Sequence, residues 1–156
     1  LGRPLSLPPK EKPPVRRKEK KQETDTSTLE SVSKSLPSLI RAQKLQKKAA
    51  KVGFDWPDVS GALDKVEEEL AEVRAAIGGD GDVEEEIGDL IFAVTNVSRF
   101  VKVDSERAAE KTCNKFVRRF ADMEQQAKAQ GRQLSELTLE EMDALWDEAK
   151  KKEHRE

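Results

Sequence analysis

An all-α protein, built as an antiparallel helical bundle, is what three features of the sequence predict. From Ser35 onward apolar residues recur at three- and four-residue spacing. No segment sustains the apolar/polar alternation of a half-buried strand. The breaks between periodic runs are short and hold Gly, Pro and Asp, and short connections make consecutive helices antiparallel neighbours.

Ser35 followed by Pro37 opens the first helix, which carries Leu39, Ala42, Leu45, Ala49 and Val52 on one face and stops at Gly53. After the turn FDWPD, Val59, Leu63, Val66, Leu70, Val73 and Ile77 repeat at four-three spacing up to Gly78-Gly79, the pattern of a bundle helix. Asp82 with Glu85 three residues on caps a third helix through IGDLIFAVTNVSRFV to about Lys102. It is apolar around most of its circumference and is expected to be the central, most buried helix. Asp104 opens the fourth, with Ala109, Cys113, Phe116, Phe120, Met123 and Ala127 as its seam and Gly131 as its end. Thr138 and Glu141 cap a fifth carrying Met142, Leu145, Trp146 and Ala149. A helical unit this small and this charged is expected to complete its core by self-association.

The 156 residues hold 31 Asp plus Glu against 29 Lys plus Arg, and 38% of the chain is charged. Ordinary domains are about 25% charged, so the core must be narrow. Residues 1–34 read as a flexible, Pro-rich and basic linker, because five of the seven prolines and the run RRKEKK fall there with no aromatic residue. The helical domain then spans 35–152, and 153–156 is a charged tail. The chain starts on Leu, and the expectation is a piece of a longer protein. Beyond residue 36 there are 20 basic and 26 acidic residues, which argues against a general phosphate-backbone binder. No apolar run suits a membrane span or a secretory signal, so the chain reads as cytoplasmic. One Cys and one His, Cys113 and His154, cannot build a disulfide, a zinc finger, a Cys/His nucleophile or a His-based serine triad.

The acidic residues carry the chemistry. Glu69/Glu72 and Glu86/Asp89 are each spaced i, i+3 on helices two and three. At about 100° per residue, Glu69 and Glu72 lie on one flank with Lys65, while Glu86 and Asp89 share a side with Ala93, Asn96 and Phe100. The loop GGDGD joins the helices, and a rise of about 1.5 Å per residue sets Glu72 opposite Glu86 and Glu69 opposite Asp89. Four carboxylates so placed repel one another unless a cation neutralises them, and hard oxygen ligands select Mg²⁺, Mn²⁺ or Ca²⁺. Solvated helix faces are the plainer explanation of any one acidic run, and Glu67 and Glu84 are assigned to it. Asp89 resists that explanation, being a poor helix former inside IGDLIFAV, where an unpaired buried charge is costly. The loop fits neither an EF-hand nor a phosphate loop, and a di-iron site would need Glu-x-x-His motifs.

On helix four, Lys115 and Arg119 stand one turn apart beside Phe116 and Phe120, and Arg118 points elsewhere. A carboxylate-held metal with nearby cations suits a polyphosphate. Phe54, Trp56 and Trp146 are candidates to stack on a base, core packing being the alternative for both Trp and the expected role of Phe54.

In order, KSLPSLIRAQKLQKKAAKVGFDWPD, KVEEELAEV, EEEIGDLIFAVTNVSRFVKVD, NKFVRRF and MDALWDEAK resemble the C-terminal module of MazG nucleoside triphosphate pyrophosphohydrolases over some three quarters of the chain. The specific element is EExxE followed by ExxD, present as Glu68, Glu69, Glu72 and Glu86, Asp89. The resemblance implies an all-α NTP pyrophosphohydrolase fold, dimers or higher homo-oligomers, and Mg²⁺-dependent cleavage of nucleoside triphosphates between the α and β phosphates, with Mn²⁺ as a substitute. It implies that Glu69, Glu72, Glu86 and Asp89 are metal ligands. Nucleotide contacts are implied around Lys65 to Glu68, Asp82 to Glu85, Lys115 to Arg119 and Trp146, that is Lys65, Glu68, Glu85, Asp89, Lys115, Arg118, Arg119 and Trp146. Glu68 or Glu69 is expected to be the general base. The alternatives are a narrower dUTP, dCTP or phosphoribosyl-ATP pyrophosphohydrolase and a non-catalytic helical interaction module. Nucleic-acid binding through RRKEKK ranks last.

Overall fold

The computed structural model describes residues 28–155; the basic run RRKEKK and most of the expected linker lie outside the described residues. Five α-helices and two short 3-10 turns make up the described residues, with no strand among them. They are α1 Ser38–Lys51, α2 Val59–Ile77, α3 Val83–Phe100, α4 Ser105–Ala129 and α5 Leu139–Arg155. Packing divides the chain into two compact units, the first ending at Ser105 and the second running from Glu106.

In the first unit α2 and α3 form a tightly packed hairpin, and α1 lies against α3. Asp58 caps α2 by accepting from the Ser60 backbone N–H, and Asp82 caps α3 by accepting from that of Glu85. Between them Gly79 and Gly81 take φ of 110° and 145°, a region that side chains disfavour, and this lets the chain reverse within five residues. Two glutamines fasten α1 to α3 and to the junction at its end. Gln43 Nε2 donates to the Val103 carbonyl at 2.9 Å, and its Oε1 accepts from the Ser105 N–H at 2.8 Å. Gln46 Nε2 donates to the Phe92 carbonyl at 2.9 Å and to Thr95 Oγ1 at 3.1 Å.

The second unit has its own core, in which Met123, Ala127, Leu137 and Leu145 are buried and Leu134, Met142 and Trp146 pack against them. Thr138 and Glu141 form the expected capping box at the start of α5: each backbone N–H is taken by the other's side chain.

One expectation, about burial, needs correction. Helix three is not the most buried: Ile87, Ile91, Phe92 and Val94 on α3 are exposed, and only Ala93 and Thr95 are fully covered. The reason is that a small unit lacks the surface to enclose an apolar helix on all sides. Residues 28–34, grouped by composition with the linker, hold a 3-10 turn at Thr28–Ser31 that packs on α1, followed by buried Val32. Residues 153–155, grouped with the tail, continue α5, and Glu153 is held there by Arg119 at 2.8 Å.

Candidate functional site

The α2–α3 hairpin sets its acidic residues at one level because the tight turn fixes the axial register of the two helices. Carboxylate oxygens of Glu69, Glu86 and Asp89 come within 4.8 Å of one another. Glu69, only 7% exposed, is the buried member; Glu86 is half-buried and Asp89 exposed. The expectation that Asp89 would be the buried charge is thus overturned: it lies at the open side, and the desolvated carboxylate belongs to Glu69.

Lys65 stands over the α2 side of this cluster, one turn before it. Its ammonium lies 3.0 Å from Glu68 Oε2 and 2.9 Å from Glu69 Oε2. These carboxylates, Glu69 first, raise the Lys65 pKa and keep it charged. On α3 the Glu86 carboxyl is pushed above the usual carboxylate range, first by burial and then by Asp89, Glu72, Glu85 and Glu69. Glu72 therefore acts on Glu86 through its charge but stands outside the set of three that meet within 4.8 Å. Glu85 lies in the first turn of α3, where acidic groups are favoured by the helix dipole. Glu67 and Glu84 are exposed.

A cavity of about 720 Å³ opens beside the carboxylates, with Lys65, Glu69 and Asp89 in its wall. Its remaining lining is mostly apolar and comes from Leu29, α1, the FDWPD turn and α3. That size and that mixture of an apolar wall with a few charged groups suit a small molecule. Phe54 lines it and is 81% exposed, so the expected role in core packing does not hold; Trp56 lines it at 42% exposure. Gln46 also contributes to the wall, and its Oε1 is buried without a hydrogen-bond partner.

The remaining residues singled out from the sequence lie in the second unit. Arg119 donates to Glu153 and stands 5.2 Å over the Trp146 ring, which also meets Phe116 at 5.6 Å between centroids. Lys115 and Arg118 border a shallow cleft of about 380 Å³ with Lys111, Thr112 and Asn114.

Sequence reasoning missed the pair that fastens the FDWPD turn to α3. Arg99 Nη2 lies 2.6 Å from Asp55 Oδ1, which also accepts the Trp56 backbone N–H at 2.8 Å. The partners are 44 residues apart and no periodicity links them.

Three carboxylates converging from two helices are a hard-oxygen cluster that could hold a divalent cation. Among the described residues no helix is long and apolar enough to cross a membrane.

The family model described as the MazG nucleotide pyrophosphohydrolase domain matches residues 59–123, the stretch that contains the cluster. The nucleoside triphosphate pyrophosphohydrolase of Escherichia coli strain K12 is 39% identical over 143 residues, covering 89% of this chain and 54% of that protein. The nucleoside triphosphate pyrophosphohydrolase/pyrophosphatase MazG of Thermotoga maritima is 40% identical over 132 residues, covering 85% and 51%. The uncharacterized protein YabN of Bacillus subtilis is 46% identical over 142 residues, covering 89% and 29%. The chain spans about half the length of the pyrophosphohydrolases it matches.

Proposed function

The chain carries a MazG nucleotide pyrophosphohydrolase domain, and from that premise we propose that it hydrolyses nucleoside triphosphates, ribo- or deoxyribo-, between the α and β phosphates. The products are a nucleoside monophosphate and pyrophosphate, and the reaction serves to clear or control the cytoplasmic nucleotide pool. The observation that carries this reading is the meeting of Glu69, Glu86 and Asp89 within 4.8 Å at the edge of a cavity large enough for a nucleotide.

The donor set fits Mg²⁺, with Mn²⁺ as a substitute: Glu69, Glu86 and Asp89 would hold it, and Glu72 adds the fourth carboxylate charge. The chemistry such an ion supplies when bound is charge neutralisation at phosphate oxygens and acidification of a water. Lys65 orients the two neighbouring carboxylates on α2. Glu69 is committed to the cluster, whereas Glu68 stands outside it with its side chain 60% exposed, so we assign Glu68 the proton taken from the attacking water. The water oxygen bonds to the α-phosphorus, the bond from that phosphorus to the bridging oxygen breaks, and pyrophosphate leaves.

Self-association is part of the same proposal. Leu63, Leu70 and Ile77 recur every seven residues along α2 and are exposed, as are Ile87, Ile91 and Val94 along one stripe of α3. Apolar stripes of this kind mark protein–protein contact surfaces, and a second copy supplies a matching pair.

Incubation with the common NTPs and dNTPs, in Mg²⁺ or in EDTA, with products resolved, tests the reaction. Metal-dependent release of monophosphate and pyrophosphate is expected; diphosphate with phosphate would place the cleavage elsewhere. Glu69→Gln should lower turnover by more than about a hundredfold, beyond the 10–100-fold typical of losing an outer-shell partner. Full turnover in that variant would remove Glu69 from the site.

A further inference from the structure

The FDWPD turn is fastened at two points, and both bear on the same ring. Asp55 Oδ1 receives the Arg99 guanidinium at 2.6 Å and the Trp56 N–H at 2.8 Å, so one oxygen ties the backbone at Trp56 to α3. Arg99 is itself fixed: its Nε donates to Asn96 Oδ1 at 2.9 Å, and its guanidinium lies 4.6 Å over the Phe100 ring. The second point is Gly61 in α2. A Cβ there would meet Trp56 Cε3 at 2.9 Å and Cδ2 at 3.1 Å, so the indole occupies the space a side chain would need. Glycine is a poor helix former, and its place here leaves the indole room to lie against the helix. Trp56 is thereby held in the cavity wall that also contains Glu69 and Asp89, while 42% of it stays exposed.

We propose that Arg99 and Asp55 are a positioning pair: they hold Trp56 as the stacking wall for the nucleobase of the substrate, and so set nucleoside affinity without taking part in hydrolysis. This rests on the reading that the phosphates lie at the carboxylates. An aromatic ring braced from behind and open in front loses little freedom when a flat base stacks on it, so the stacking is kept for affinity. A turn released from α3 would have to be ordered again each time a base binds, and affinity falls by that ordering cost.

The first test needs neither metal nor turnover. Tryptophan fluorescence is titrated with adenosine, cytidine, guanosine and uridine in EDTA. Saturable quenching is expected in the wild-type chain and is expected to vanish in Trp56→Phe. Quenching should need about tenfold more nucleoside in Arg99→Met, in Asp55→Asn and in Gly61→Ala, and should recover in part in Arg99→Lys. Equal titrations in wild type and Arg99→Met, or quenching that survives in Trp56→Phe, would overturn the proposal.

The second test separates base from phosphate. In Arg99→Met, KM for nucleoside triphosphates should rise about tenfold with kcat retained, and competitive inhibition by inorganic tripolyphosphate should not change. A parallel rise in KM and in the tripolyphosphate inhibition constant would place the pair at the phosphates and overturn it. Wild-type protein that binds nucleosides through Trp56 but releases no pyrophosphate would defeat the proposed reaction and leave the positioning of Trp56 standing. Pyrophosphate release without nucleoside quenching would do the reverse.

Discussion

Glu86 shows how a site can be recognised from the discomfort of its own charge. Burial and four neighbouring carboxylates raise its pKa, so this group gives up its proton less readily in the folded chain than in the unfolded one. Its contribution to stability is therefore present at low pH and is lost as pH rises through the carboxylate range. A divalent cation at the cluster reverses the penalty, since it favours the ionised form. Mg²⁺ should therefore raise the melting temperature more at about pH 7.5 than at about pH 5, where a raised carboxyl remains partly protonated. Glu86→Gln should raise the melting temperature in EDTA at the higher pH and abolish most of the Mg²⁺ effect. A Mg²⁺ shift that ignores pH and survives the substitution would locate the cation elsewhere.

Among the elements, α1 is held to its neighbours through side-chain amides as well as through apolar contact. Gln43 serves the Val103 carbonyl and the Ser105 N–H, both at the junction where α3 ends and α4 begins. An amide can satisfy a donor and an acceptor at once, which no apolar residue of the same size can do. Gln43→Leu should cost about 1–3 kcal/mol, the penalty of leaving these groups unpaired, read as a lower urea midpoint with an unchanged slope. A neutral result would mean that water replaces the amide at the junction. The cavity depends on the same arrangement, because α1 and the turn after it supply most of the wall facing the carboxylates.

At the scale of the whole molecule, the exposed stripes on α2 and α3 argue for a second copy. Replacing Leu70 and Ile91 together by Asp puts charges into both stripes without touching a carboxylate of the cluster. Light scattering should then report a monomer where the parent chain gives a dimer or larger species. A parent chain that is monomeric at micromolar concentration would remove the proposal.

The helices are legible in the chain alone, because spacing, caps and breakers are local: Asp82 with Glu85 and Thr138 with Glu141 cap helices as their positions foretell. So is the approach of three of the four acidic residues, since a short turn between two helices fixes their register and brings residues 69, 86 and 89 to one level, with Glu72 outside that set. Which carboxylate is buried was settled by packing instead: Asp89 looked enclosed from its apolar neighbours in the chain, yet it faces outward while Glu69 is covered. The same holds for Phe54, exposed in the cavity wall rather than in the core, and for the ion pair of Asp55 with Arg99. Burial and long-range ion pairs depend on which helix faces fill space together, and that is decided by the three-dimensional arrangement, not by any periodicity along the chain.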